Sequence, residues 1–291
     1  MTRAERRHQF LVTAFLTIIC ALVLIPFLIV VSVSFSNETD IMEYGYALIP
    51  KTFDLNAYRF VFTSSGSVLN AYKVTITFSV ACMVIGVLLM AMLAFALSKR
   101  GLKGKKAMSF YVYFTMLFSG GLVPSYILIT QYLHLADTIW VYIVTGLVSP
   151  WYVFMLRTFF QGIPYEITEA AIIDGANEFK IFAQFIIPMS KPAIATIALF
   201  MFLGKWNDWN TALLYINNED LVSLQYLLQR IMQNIQIMTE DPNIAALFED
   251  EIPAETVRMA LAVVVAGPAL VVFPFFQKYF IQGITVGAVK G

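Results

Sequence analysis

The chain has 291 residues, of which 59% are hydrophobic and 13% charged, against about 25% charged in an ordinary soluble domain, so a soluble globular protein is excluded. Its 19 basic residues balance 19 acidic ones and histidine occurs only 2 times, which leaves no cationic surplus for nucleic acid and little scope for histidine catalysis.

A bilayer core about 30 Å thick needs about 20 apolar residues at about 1.5 Å rise, and runs of that kind can be followed in chain order. The first, Phe10 to Val33, is preceded by Arg3, Arg6 and Arg7. It resembles a signal peptide in its charges, but it is too long for an h-region. It also ends in Val31-Ser32-Val33-Ser34-Phe35 without an A-x-A cleavage site, so it reads as a retained anchor. Further spans are expected over residues 69–97, 107–129, 139–159, 192–215 and 256–277. The predicted architecture is one all-α integral membrane domain over residues 1–291, with six transmembrane helices. Cys20 and Cys82 lie inside apolar runs and read as small buried hydrophobes, not as a disulfide or metal ligands.

The loop Ser98 to Lys106 carries Lys99, Arg100, Lys103, Lys105 and Lys106 without one acid. Arg157, Lys180, Lys191, Lys278 and Lys290 fall on the same side, whereas Glu219, Asp220, Glu240, Asp241, Glu249, Asp250 and Glu251 fall on the other. The positive-inside rule then makes both termini cytoplasmic. No catalytic kit is evident. His134 reads as a solvated loop residue, and Gly101-Leu102-Lys103-Gly104-Lys105-Lys106 lacks phosphate-loop spacing and follows an apolar helix, not a strand.

The segment 162–190 is too polar to span and is strongly organised. Pro164 suits a helix start, Glu166 and Glu169 favour the positive end of its dipole, and Gly175 can turn the chain. A second helical pattern, Phe179, Phe182, Phe185 and Ile186, is expected to run until Pro188 and Pro192 interrupt it. Ala170 and Ala171 are small enough for close approach to another protein. An ordinary amphipathic loop remains the alternative on these residues alone.

The string Glu169-Ala170-Ala171-Ile172-Ile173-Asp174-Gly175-Ala176, closed by Ile187-Pro188 and Lys191-Pro192, resembles the EAA loop of membrane subunits in binding-protein-dependent ABC importers. Glu169, both alanines, Gly175 and Pro188 occupy motif positions, while Phe185 and Ile187 replace the family's usual isoleucine and leucine. The ending from Gln277 to Gly291 resembles the maltose and oligosaccharide branch, and Phe118-Ser119-Gly120-Gly121-Leu122-Val123-Pro124 its complex-polysaccharide subgroup. The resemblance covers nearly the whole chain. It implies a permease subunit of a carbohydrate importer in the inner membrane, with several partners: a second six-helix permease subunit, a cytoplasmic ABC ATPase dimer and an extracytoplasmic sugar-binding protein. ATP and Mg would belong to the ATPase and none to this chain. Glu169, Ala170, Ala171, Asp174, Gly175 and Pro188 would form the ATPase-coupling loop. The tail 278–291, with Gln282, Gly283, Gly287 and Lys290, would reach the ATPase as an extended segment, since its glycines and single charge suit neither a stable helix nor a solvated tail.

One polar cluster interrupts the fifth span. Lys205, Trp206, Asn207, Asp208, Trp209 and Asn210 combine flat apolar rings with amide donors and acceptors, a set suited to sugar rings and hydroxyls. Two alternatives stand beside that pathway reading. One is an interfacial aromatic belt with a helix cap; the other is an ion-coupled secondary transporter using Lys205 and Asp208.

Overall fold

The computed structural model describes residues 3–63, 68–240 and 254–288, with side chains described over 7–63, 68–237 and 254–277. Regular structure among them is helical, apart from an isolated antiparallel bridge between Ser36 and Phe53. The first predicted span is α1 (Arg3–Ser34), followed by the short α2 (Glu38–Tyr44) and α3 (Asn56–Thr63) and then by the second span, α4 (Val68–Ser98). Although β-branched residues are frequent in these runs, a helix is the form that satisfies every backbone N–H and C=O inside lipid. Cys20 is exposed on α1 and Cys82 is buried, so only the second behaves as a core thiol.

The next three predicted spans are interrupted. Residues 107–129 form α5 (Lys105–Leu117) and α6 (Leu122–Ile127), the latter extended by a π-helical turn to Tyr132, and the two halves meet at 110°. Residues 139–159 form α7 (Ile139–Val144) and α8 (Pro150–Gln161), separated by a segment in which Gly146 takes φ +74°. The segment 162–190 holds α9 (Tyr165–Ile173), α10 (Glu178–Ile181) and α11 (Ile187–Met189). Residues 192–215 then form α12 (Lys191–Trp206) and α13 (Asn210–Tyr215). α14 (Leu224–Glu240) precedes α15 (Ala254–Ala288).

Among the described residues, three helical stretches are long and apolar enough to cross a membrane: Arg7–Ser34, Val68–Ser98 and Ala254–Gln277. The number rises to five if two bent pairs, α5 with the segment Leu122–Tyr132 and α10–α11 with α12, each count as one span. The tail differs from its predicted extended form, because α15 continues helically through Gln282, Gly283 and Gly287 to Ala288. Continuing an existing helix adds one hydrogen bond per residue without a new nucleus, which offsets the cost of the glycines. Lys290 lies outside the described residues, as do Asp241, Glu249, Asp250 and Glu251.

The chain divides into two compact units, Met1–Leu69 with Leu228–Pro268, and Asn70–Leu227 with Ala269–Gly291. In the first, the Glu38 carboxylate accepts the N–H groups of Glu255 and Thr256, each at 2.9 Å, and the Thr256 hydroxyl at 2.7 Å. It thereby caps the start of α15 with a negative charge. Tyr46 donates to Glu255 at 2.7 Å, a bond that raises the phenol's pKa above its ordinary value. In the second, Met90, Ala94 and Leu97 of α4 are buried with Val153, Leu156 and Phe160 of α8 and with Ile197 and Met201 of α12. Gly86 lets α4 approach this neighbourhood: a Cβ there would stand 2.6 Å from the Leu147 carbonyl oxygen and 2.5 Å from Met201 Cε.

Candidate functional site: the exposed loop and the polar break

The loop begins at Pro164, after which α9 carries Glu166 in its first turn. The helix α9 ends just before Gly175, which adopts φ +78°, a left-handed turn that glycine enters without Cβ strain. The Gly175 N–H then donates to Ile172 O and the Ala176 N–H to Ala171 O, both at 2.9 Å, closing the helix end. Asn177 caps α10 by accepting the Lys180 N–H at 2.8 Å. Pro188 does not interrupt the second helical pattern as predicted. A π-helical turn over Phe182–Ile186 precedes it, Pro188 sits in the first turn of α11, and the break comes at Ser190.

The two faces of this loop differ. Ala171, Ile181, Phe182 and Ile186 are buried in the core of the second unit. Ala171 therefore packs inward, contrary to the expectation that both alanines face a partner, because one residue's step around α9 turns it by about 100°. Glu169, Ala170, Ile172, Ile173, Asp174, Gly175 and Phe179 are exposed, with Ile173 at 80% and Phe179 at 69%. Glu178 forms an ion pair with Lys99 at the end of α4, and the Arg100 guanidinium lies 4.8 Å from the Tyr165 ring centroid. The sequence motif does not mark Ile173 and Phe179 as contact residues. Their signal was present as bulky apolar side chains in a segment too polar to span.

The polar cluster separates into roles. Lys205 is 9% exposed and its ammonium donates to Thr145 O at 2.5 Å and to Asp208 at 3.3 Å. Asp208 also accepts the Thr211 N–H at 3.0 Å and the Thr211 hydroxyl at 2.7 Å, which caps α13 after the break. Trp206 is 1% exposed, between Tyr72 and Phe202, so it is a core residue and its ring presents no face to a passage. Asn207, Trp209 and Asn210 remain exposed. Asn207 is held by two bonds, donating to Leu203 O at 2.8 Å and accepting from Gln225 at 2.9 Å. What the arrangement offers chemically is a rigid break with amides and one indole facing outward, and both ionisable groups already engaged.

Comparison with known proteins agrees with the apolar helices. The polygalacturonan/rhamnogalacturonan transport system permease protein YtcP of Bacillus subtilis is 36% identical over 99% of both chains. The arabinooligosaccharides transport system permease protein AraQ of Halalkalibacterium halodurans is 28% identical over 97% of both. A solved bacterial ABC transporter involved in the import of the acidic polysaccharide alginate contains a chain that superposes with a TM-score of 0.80 at 28% identity, covering 96% of this chain and 99% of that one. Residues 71–286 match the family of inner membrane components of binding-protein-dependent transport systems. The chain therefore belongs to that family, as a multi-pass, non-catalytic permease subunit of an ABC importer whose ATPase is a separate subunit.

Proposed function

We propose that this chain forms one half of the translocation pathway of an ATP-driven oligosaccharide importer, fragments of acidic polysaccharides being the first cargo class to test. The named substrates of YtcP and of the alginate importer support that choice. The observation that carries the proposal is the loop 162–190. Its inner face is locked into the core while Ile173 and Phe179 stand exposed beside Glu169 and Asp174. Such an element transmits force because one side is rigidly attached and the other is free to bind.

In this reading six spans leave both termini in the cytoplasm, where the exposed loop face docks into the ATPase and the tail 278–291 reaches the same subunit. ATP and Mg act there. A second permease completes the pathway and an extracytoplasmic binding protein delivers the sugar. Asn207, Trp209 and Asn210, not Trp206, are the side chains offered to cargo. The ion-coupled alternative is disfavoured because Lys205 and Asp208 are both committed to structural hydrogen bonds.

Co-purification from native membranes tests the proposal. The wild-type chain should bring down an ATPase, a second permease and a sugar-binding protein, and Glu169→Lys should selectively lose the ATPase while still inserting, since Glu169 is exposed. Normal ATPase recovery and normal sugar import by Glu169→Lys would remove the loop from the coupling role.

A further inference from the structure

A groove of about 460 Å³ in the second unit runs between the end of α4, the start of α5 and α9. Lys99, Arg100 and Lys105 line it with Phe95, Tyr165 and Thr168, and its acidic lining residue is Glu178. That acid is taken up by Lys99. Lys105 donates to Lys99 O at 2.9 Å and Ser98 O at 3.4 Å, which satisfies the carbonyl end of α4 but cancels only a partial charge. The Arg100 Cζ lies over the Tyr165 ring, 4.8 Å from its centroid, and among the described residues no carboxylate forms an ion pair with Arg100 or Lys105. The groove thus holds three cations against one acid. A guanidinium without a carboxylate partner has a planar N–H fork that matches two oxygens of a phosphate.

We propose that this groove is a binding site for a phosphate group, carried by the headgroup of an anionic phospholipid. The source follows from position. α4 is a long apolar helix ending at Ser98, so the groove opens where a spanning helix leaves the hydrocarbon, the depth at which headgroups and basic residues meet. The loop residues Thr168 and Ile172 line the same groove, and Ile172 also belongs to the exposed face of the loop. A bound headgroup braces α9 from behind and biases how firmly the loop presents Ile173. This regulatory consequence rests on the coupling role proposed above; the binding site does not.

The test uses the assembled complex in nanodiscs of phosphatidylcholine with a minor fraction of phosphatidylglycerol, with retained lipid identified by native mass spectrometry. Wild type should retain phosphatidylglycerol in preference to phosphatidylcholine. Arg100→Gln should lower that preference about tenfold, the worth of one charge-assisted hydrogen bond, and Arg100→Lys should restore part of it. An arm with added inorganic phosphate separates the sources: undiminished lipid retention assigns the site to the headgroup, whereas displacement shows that free phosphate also occupies it. An Arg100→Gln complex with wild-type phosphatidylglycerol preference would overturn the proposal, as would equal retention of both lipids by wild type or a crosslink from Arg100 to an acidic segment of a partner subunit. Glu169→Lys should keep the lipid preference while losing ATPase, so failure of the coupling role is read separately.

Discussion

The Lys205 ammonium donates to the Thr145 carbonyl oxygen at 2.5 Å, joining the break between α7 and α8 to the break between α12 and α13. Each interruption frees backbone groups that lipid cannot satisfy. The lysine meets one such group and also balances Asp208, whose other contacts cap α13. Two weak points of the backbone thereby support each other.

Replacing Lys205 by Met should consequently destabilise the protein by about 3 kcal/mol, since a half-buried carboxylate and a carbonyl lose their partner together. Thermal unfolding of the purified complex in detergent reads this as a lowered Tm. An unchanged Tm with altered ion dependence of transport would instead favour the ion-coupled alternative.

Stability should also depend on Asp137, which lies in the loop between α6 and α7. Its carboxylate accepts the backbone N–H of Asn217 and, at 2.9 Å, that of Asn218, and these bonds hold its pKa below the ordinary carboxylate value. Because the folded pKa is depressed, the contribution is fully present above the unfolded value and is lost as pH falls through the folded one. Wild type should therefore lose stability on acidification below about pH 3.9 more steeply than Asp137→Asn, and the two curves should converge in acid. Parallel curves would show that the carboxylate bonds carry no net stabilisation.

Asn207→Ala and Trp209→Ala should lower sugar-stimulated ATPase activity of the complex more than they lower its yield, whereas Trp206→Ala should lower yield by destabilisation, about 3–5 kcal/mol for emptying a buried Trp site. Site-directed labelling of a cysteine at 207 checks exposure directly. Labelling that never responds to sugar, nucleotide or binding protein contradicts a place in the pathway.

The sequence was informative where side-chain type alone decides the outcome. The runs beginning at Phe10 and leading into Leu97 became helices because a helix satisfies the backbone in hydrocarbon within a single segment. The turn at Gly175 follows from the ease with which glycine enters left-handed backbone. Apolar counting could not show the breaks at Thr145 to Ser149 and Asn207 to Trp209, because it adds side chains without testing backbone continuity. Nor could composition separate Trp206 from Trp209. Their rings are of the same chemistry, and only the neighbours Tyr72 and Phe202 make one of them core.

The most direct test of the central claim is uptake by proteoliposomes containing the full complex, with labelled acidic oligosaccharide and binding protein outside and ATP inside. The account predicts accumulation that requires ATP and the binding protein, persists when ion gradients are collapsed, and falls to background with Glu169→Lys. Accumulation by this chain alone, driven by a proton or sodium gradient without ATP, would contradict it.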